Sequence, residues 1–303
     1  MSEPIHTVVS KPGPVERSIL DDLSGVVAER RVVSAGVSLR VLDTGGAFDR
    51  PTCVLLHGRG HAATMWAPFF RALGARRRVI AVDLPGFGHS AMRDAAPRSP
   101  EEALALFVDP IEALLSSIGR DGERFVLVGH SLGGLVALEL TLRARAPIAG
   151  LVLVCAMGLG PHVAAKARAY LRVGPERIRS VTRVLGVAAP GLTRGGDAMQ
   201  PLRDELYGAG SRAHGKRAFD RLAPLFAEPF HRRDSLGAVG VPVCLVWGSR
   251  DNAFPVPVAM DASTRLRDAS LEVLDAGHSP HIERPAEVAS ILESFLAARV
   301  DSR

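Results

Sequence analysis

Ser131 stands in the run Phe125-Val126-Leu127-Val128-Gly129-His130-Ser131-Leu132-Gly133-Gly134. An apolar, β-branched stretch enters Gly-x-Ser-x-Gly, and the helix-forming segment Leu135-Val136-Ala137-Leu138-Glu139-Leu140 leaves it. That pattern predicts a sharp strand-to-helix turn that pushes a serine hydroxyl outward. Glycines at 129 and 133 let strand and helix approach closely around it. The N–H of Leu132 opens the helix, where negative charge is favoured. A serine alcohol is a weak nucleophile and needs a base, itself oriented by an acid. His278, in Gly277-His278-Ser279-Pro280, is the candidate base, and Asp251, in Gly248-Ser249-Arg250-Asp251-Asn252, is the candidate acid. Each follows an apolar, strand-like run, and the chain order Ser131, Asp251, His278 fits a serine nucleophile on a parallel sheet. In this reading His278 takes the serine proton during attack on a carbonyl and returns it to the leaving group. Asp251 fixes the ring tautomer and stabilises the imidazolium. Asp275 is closer to His278 in sequence, but falls within or just after a strand and ranks second.

A fourth part comes from Leu55-Leu56-His57-Gly58-Arg59-Gly60, a strand end opening into a glycine-rich loop. The backbone N–H groups of Arg59 and Leu132 are the expected oxyanion hole. Such donors typically contribute ~3–4 kcal/mol to the transition state. Substrate contacts are expected from His57, Gly58, His61, Trp66, His130 and Met157, with His57 also bracing the loop.

The elements that must position these residues follow from periodicity. Residues 1–18, rich in proline, read as a mobile arm, with a short helix over Ile19–Arg30. Arg31–Ser34 and Val37–Leu42 flank Ala35-Gly36 as a hairpin. Thr52–Leu56 is a continuous apolar strand of the kind buried on both faces, and Arg78–Asp83 is another. A helix is predicted over Glu101–Ile118, opened by Ser99-Pro100. Further strands are predicted at Ile148–Cys155, Val241–Trp247 and Ser270–Leu274, and a last helix from Pro285 to about Arg299. Strands alternating with helices imply a mainly parallel sheet covered on both faces. The alternation stops between about Leu159 and Leu236, a basic, helix-rich stretch read as a cap inserted at the carboxyl edge of the sheet. The domain reading is therefore an arm and short helix over 1–30, a core over 31–158 and 237–303, and a helical cap over 159–236. Arg168, Arg172, Arg177, Arg179 and Arg183 within the cap read as a solvated helix face, with attraction of an anionic substrate or carrier protein as the alternative.

Composition removes several classes. Of 303 residues 47% are hydrophobic, which supports a substantial core. A net charge of +5 with scattered arginine and 5% aromatics argues against nucleic-acid binding. Cys53, Cys155 and Cys244 are far apart in apolar runs, so buried free thiols are expected, with no metal site and no disulfide framework. No leader-like run opens residues 1–18 and no stretch approaches a membrane span. A cytoplasmic protein without an integral membrane segment, acting on a small molecule, is the expectation.

With these residues in place the chain resembles the α/β-hydrolase fold superfamily, and within it the serine esterase-like branch, from about residue 31 to 299. The matching motifs are His57-Gly58, Asp83-Leu84-Pro85-Gly86-Phe87-Gly88-His89-Ser90, Gly129-His130-Ser131-Leu132-Gly133-Gly134, Gly248-Ser249-Arg250-Asp251 and Gly277-His278. The resemblance implies a mainly parallel eight-stranded sheet with helices on both faces and an inserted helical cap. It also implies cofactor-independent cleavage of a carboxylic ester with an apolar acyl part through an acyl-enzyme. Ser131 argues against the branches that use aspartate or cysteine as nucleophile. Hydrolysis of a C–C bond in ring-cleavage diketo acids, acyl transfer or thioester release, and a small-molecule receptor on the same fold are the alternatives. The first is weakened by Ser279, because that group usually has an aromatic residue after its histidine.

Overall fold

A computed structural model describes residues 5–6, 11–46, 48–120, 122–164, 200–206, 217–225 and 230–302. Its centre is an eight-stranded sheet made of β1 (Ala28–Ser34), β2 (Val37–Asp43), β3 (Thr52–Leu56), β4 (Val79–Val82), β5 (Phe125–His130), β6 (Ile148–Val154), β7 (Val243–Gly248) and β8 (Ala269–Leu274). Across the sheet the order is β8-β7-β6-β5-β3-β4-β2-β1. Only β1 with β2 and β2 with β4 run antiparallel, and the remaining neighbours are parallel. A separate two-residue antiparallel pairing joins Ile5–His6 to Met92–Arg93.

The central strands are buried from end to end because helices cover both faces. On one face α3 (Pro100–Ile118) and α4 (Leu132–Arg143) pack with α6 (Val256–Arg265) around Leu56, Leu127 and Leu153. On the other, α2 (Ala67–Gly74) and α8 (Pro285–Phe295) pack against Leu55, Val128 and Val154. Alternate residues of one strand therefore feed two cores, as the two-residue strand period requires. Ser99 caps α3 by accepting from the Glu102 N–H at 3.1 Å, with Pro100 in the first turn, as its sequence implies.

Two elements differ from expectation. The N-terminal helix α1 spans Pro14–Asp22, not Ile19–Arg30. Pro14 starts it, the Leu23 N–H closes it on Ile19 and Leu20, and Gly25 at φ 75° turns the chain into β1. It is docked and not part of a mobile arm, since its Glu16 is fully buried. The C-terminal helix α8 stops at Phe295 and widens into a π-turn over Leu296–Val300.

The insertion leaves β6 and returns to β7, and the Arg232 N–H donates to the Gly158 carbonyl at 2.7 Å where its two ends meet. Within it, α5 (Gln200–Leu206) and a helical segment at 217–225 are described. Ala218, Leu222 and Leu225 are fully buried in the main core, and Arg221 pairs with Asp94 at 2.9 Å. The arginines at 168, 172, 177, 179 and 183 lie outside the described residues.

Candidate active site

β5 ends at His130 and α4 begins at Leu132, leaving Ser131 at φ 51°, ψ −114°. For a residue with a side chain such a conformation costs of order 1–3 kcal/mol and persists only where its surroundings enforce it. Here the Ser131 N–H donates to the Val154 carbonyl at 3.1 Å. The Ser131 carbonyl in turn accepts from the N–H groups of Gly134, Leu135 and Met157. Position 133 has no room for a side chain, because a Cβ there would lie 2.6 Å from the His57 carbonyl oxygen. The start of α4 is thus pressed against the end of β3.

The loop after β8 brings His278 to this serine. The Ser131 Oγ stands 3.1 Å from His278 Nε2, and His278 Nδ1 stands 3.0 and 3.1 Å from the two carboxylate oxygens of Asp251. With the carboxylate as acceptor, Nδ1–H donates to Asp251 and Nε2 accepts from the serine hydroxyl. Asp251 Oδ1 also accepts from the N–H groups of Ala253 at 2.7 Å and Phe254 at 3.1 Å. Burial works to raise the Asp251 carboxyl, but the His278 charge and hydrogen bond and these two N–H groups outweigh it and hold it below the usual range. The β7 and β8 loops can cross this closely because residue 248 is glycine, where any Cβ would overlap the Gly277 carbonyl oxygen. Asp275 points away, exposed and ion-paired with Arg250.

A group that sequence reasoning missed holds the histidine loop. Glu283 accepts from the Gly277 N–H at 2.8 Å and the Ser279 N–H at 3.4 Å, on either side of His278. The available signal was a helix start at Ser279-Pro280 followed by an acid that reaches back to it, the logic of a capping box. That helix is α7 (Pro280–Glu283). Beneath the pair lies Cys155, whose sulfur accepts from the Gly248 N–H at 3.4 Å and whose thiol is pushed far up by burial. Its sulfur, an Asp251 oxygen and a His278 nitrogen lie within 4.8 Å of one another. The acid and base are already engaged with each other and the thiol stays protonated, so the donor set does not suit a cation.

The loop after β3 lies directly against Ser131, since a Cβ at Gly58 would stand 3.4 Å from Ser131 Cβ. Arg59 follows it, with its guanidinium 4.8 Å above the ring of Phe219 from the insertion. Leu132, 1% exposed, places its N–H in the first turn of α4 beside the serine. Met157 is next to the serine through its backbone bond at 3.0 Å.

Two histidines, His57 and His130, and a tryptophan expected to touch a ligand are placed differently. His57 is fully buried, with Nδ1 donating to the Gly58 carbonyl at 2.7 Å and Nε2 accepting from the Leu84 N–H at 2.9 Å. Both nitrogens are spent bracing the loop, and burial holds the ring neutral. His130, 1% exposed, donates from Nε2 to the His278 carbonyl at 2.9 Å, so it holds the His278 loop. Burial, followed by the His278 charge, lowers it to about 3. His61 stacks on His130 with ring centres 5.8 Å apart. Trp66 is fully buried, its ring against Phe69 at 5.2 Å and His281 at 4.5 Å. It supports the site from the core, because the helical turn that carries it points inward.

Among the described residues no helix is long and apolar enough to cross a membrane. Cys53, Cys155 and Cys244 are buried free thiols.

Comparison with known proteins agrees with this fold. The chain is 31% identical over 259 residues to a pimeloyl-[acyl-carrier protein] methyl ester esterase from Aeromonas hydrophila, covering 81% of this chain and 95% of the relative. It is 27% identical over 280 residues to a 2-hydroxymuconate semialdehyde hydrolase from a Pseudomonas species, covering 88% and 93%. The crystal structure of a membrane phospholipase A, described as a bacterial virulence factor, superposes with a TM-score of 0.72 at 25% identity over 93% of this chain and 92% of that one. Residues 53–291 match the alpha/beta hydrolase family, and the chain belongs to that family.

Proposed function

We propose that the chain is a cofactor-independent serine hydrolase that cleaves a carboxylic ester through an acyl-enzyme. The observation that carries this reading is the continuous contact from Ser131 Oγ through His278 to Asp251, at 3.1 and 3.0 Å, with the serine held in a strained turn. Ser131 Oγ attacks the ester carbonyl carbon while its proton passes to His278 Nε2. The oxyanion is received by the N–H groups of Arg59 and Leu132. The C–O bond to the alcohol then breaks as His278 returns the proton to the departing oxygen. Water repeats the sequence on the acyl-enzyme, releasing the acid and restoring Ser131. Asp251 keeps Nδ1–H in place throughout and stabilises the imidazolium.

The insertion serves as a cap over the acyl site in this reading. Support comes from Phe219, which lies under the Arg59 guanidinium and meets Phe87 edge-on at 5.4 Å. Gly58, His61, Leu132 and Met157 are the remaining substrate contacts, and the acyl part is apolar. The buried thiols accord with a reducing compartment, and we place the protein in the cytoplasm. The test is turnover of p-nitrophenyl butyrate by wild type and Ser131→Ala, with fluorophosphonate labelling mapped by mass spectrometry. Turnover and label are expected on Ser131 alone. Equal rates for the two proteins would overturn the reading.

A second reading, C–C bond hydrolysis, is supported by the 2-hydroxymuconate semialdehyde hydrolase likeness. Cleavage of a ring-cleavage diketo acid faster than any simple ester would favour it.

A further inference from the structure

Helix α1 touches none of Ser131, His278 and Asp251, yet it carries a carboxylate into the interior beside the oxyanion loop. Glu16 is 1% exposed. Its Oε1 accepts from Arg40 Nη1 at 2.7 Å and from Thr64 Oγ1 at 3.1 Å, while Oε2 faces His89 Nε2 at 2.6 Å. The same Arg40 reaches Asp83 at 3.3 Å and Glu29 at 3.1 Å. Asp83, at the end of β4, accepts from the Ala63 N–H at 2.6 Å and the His89 N–H at 2.7 Å. Ala63 and Thr64 open the single turn Ala63–Trp66 that ends the loop carrying Gly58 and Arg59. That turn is therefore tied by two carboxylates bridged by one guanidinium, one from α1 and one from β4.

The apolar side of α1 meets the same turn. Val15 and Ile19 pack with Met65 of the turn, Ile282 of the helix after His278, and Leu202 of the insertion. Glu205 of α5 grips the start of α1 by accepting from the Val15 and Glu16 N–H groups, each at 2.8 Å. Burying this many charges is expensive, and an apolar set of the same volume would stabilise the fold as well or better. What a charged, hydrogen-bonded set adds is direction, because each bond fixes an angle that apolar packing leaves loose. Oxyanion donors are the groups whose placement matters on that scale.

We propose that Glu16 is a positioning residue for the oxyanion loop: through Thr64 and the Arg40–Asp83 pair, α1 fixes where the Arg59 N–H stands. This rests on the hydrolase reading of the site. The helix is then a working part of the enzyme, although sequence alone presents it as an appendage.

The experiment compares wild type, Glu16→Gln and Thr64→Val. Amide hydrogen exchange is read over residues 58–66, and kcat, KM and the pH profile are measured with p-nitrophenyl butyrate. Glu16→Gln keeps the side-chain shape and removes the charge, so exchange over 58–66 should rise and kcat fall, each about tenfold. KM should stay within about twofold and the pH inflections should not move, because only transition-state stabilisation is lost. Thr64→Val leaves every charge in place and should show the same pattern at about threefold. Unchanged exchange over 58–66 in a folded Glu16→Gln overturns the proposal, as does raised exchange with unchanged kcat. If Glu16→Gln does not fold, Thr64→Val decides by the same two measurements. If wild type hydrolyses no ester, the hydrolase reading fails, and the exchange comparison by itself decides whether Glu16 holds the loop.

Discussion

Asp251→Asn tests the chemistry at the point where the geometry is most demanding. The carboxylate and imidazole are buried, with the closer oxygen 3.0 Å from Nδ1. Taking charge centres about 4 Å apart and an effective dielectric constant of about 20, the attraction that stabilises an imidazolium is about 4 kcal/mol. Losing it slows the chemical step about a thousandfold. A second effect points the same way. The Ala253 and Phe254 N–H groups both need an acceptor at the Oδ1 position. An asparagine therefore keeps its carbonyl oxygen on them and turns its NH₂ toward His278. A donor facing Nδ1 forces the proton to Nε2, and the ring then has no lone pair with which to accept from Ser131. The expected result is a fall in kcat of about a thousandfold or more, with KM nearly unchanged. Burst and steady-state kinetics with p-nitrophenyl butyrate measure it, and circular dichroism checks the fold. A folded variant retaining more than about a tenth of wild-type kcat refutes the role given to Asp251.

Gly133→Ala puts a methyl group against the Leu56 and His57 carbonyl oxygens, where only backbone movement can relieve the overlap. Destabilisation of about 3 kcal/mol or more is expected in urea unfolding, with loss of fluorophosphonate labelling. Glu283→Gln removes the charge from the bonds to Gly277 and Ser279 and should lower kcat about tenfold without changing labelling specificity. The Glu16 cluster makes stability depend on pH from both sides. Burial works to lower His89, but the Glu16 bond and charge raise it above its ordinary 6.5. Its contribution is complete below that value and lost as pH rises through the raised one. Glu16 and Asp83, held down chiefly by His89 and by Arg40 respectively against their burial, contribute above their ordinary 4.5 and 3.8, and lose that contribution as pH falls through the lowered values. Melting temperature should therefore peak at mildly acidic pH in wild type, and the fall on the alkaline side should flatten in Glu16→Gln.

Much of this molecule is legible in its sequence because the information is local. Thr52–Leu56 reads as a doubly buried strand because five consecutive residues lack a polar face except at the end, and it is one. The serine turn is legible because only glycines fit beside it. Trp66 was misread because an aromatic residue near a loop looks the same whether it faces a ligand or the core. His57 braces its loop as the sequence suggests, but neither it nor His130 shows from sequence that its ring is spent on the backbone, because a histidine's role depends on where both ring nitrogens point, and the partners Leu84 and His278 are distant in sequence. The order of the chain favours Asp251 over Asp275, yet nothing local shows that one is enclosed and the other meets solvent beside Arg250. The cluster around Glu16 is the extreme case. Its members come from α1, β1, β2 and the loops after β3 and β4; Asp83 and His89 share one short motif, but nothing in that motif points to Glu16, Glu29, Arg40 or Thr64, which are distant in sequence.

The insertion divides the chain into two parts that each hold half of the candidate site. Ser131 and the Gly58-Arg59 loop come before it, and Asp251 and His278 come after. The sheet joins these parts along one ladder, Leu151–Val154 of β6 against Val243–Val246 of β7. Under the proposed mechanism a chain emerging from the ribosome is inert until its last 60 or so residues have docked on that ladder, so turnover would report completed folding. Cut between β6 and β7, the protein is expected by the same mechanism to give two silent fragments whose activity returns only when they meet, which is the design of a split reporter.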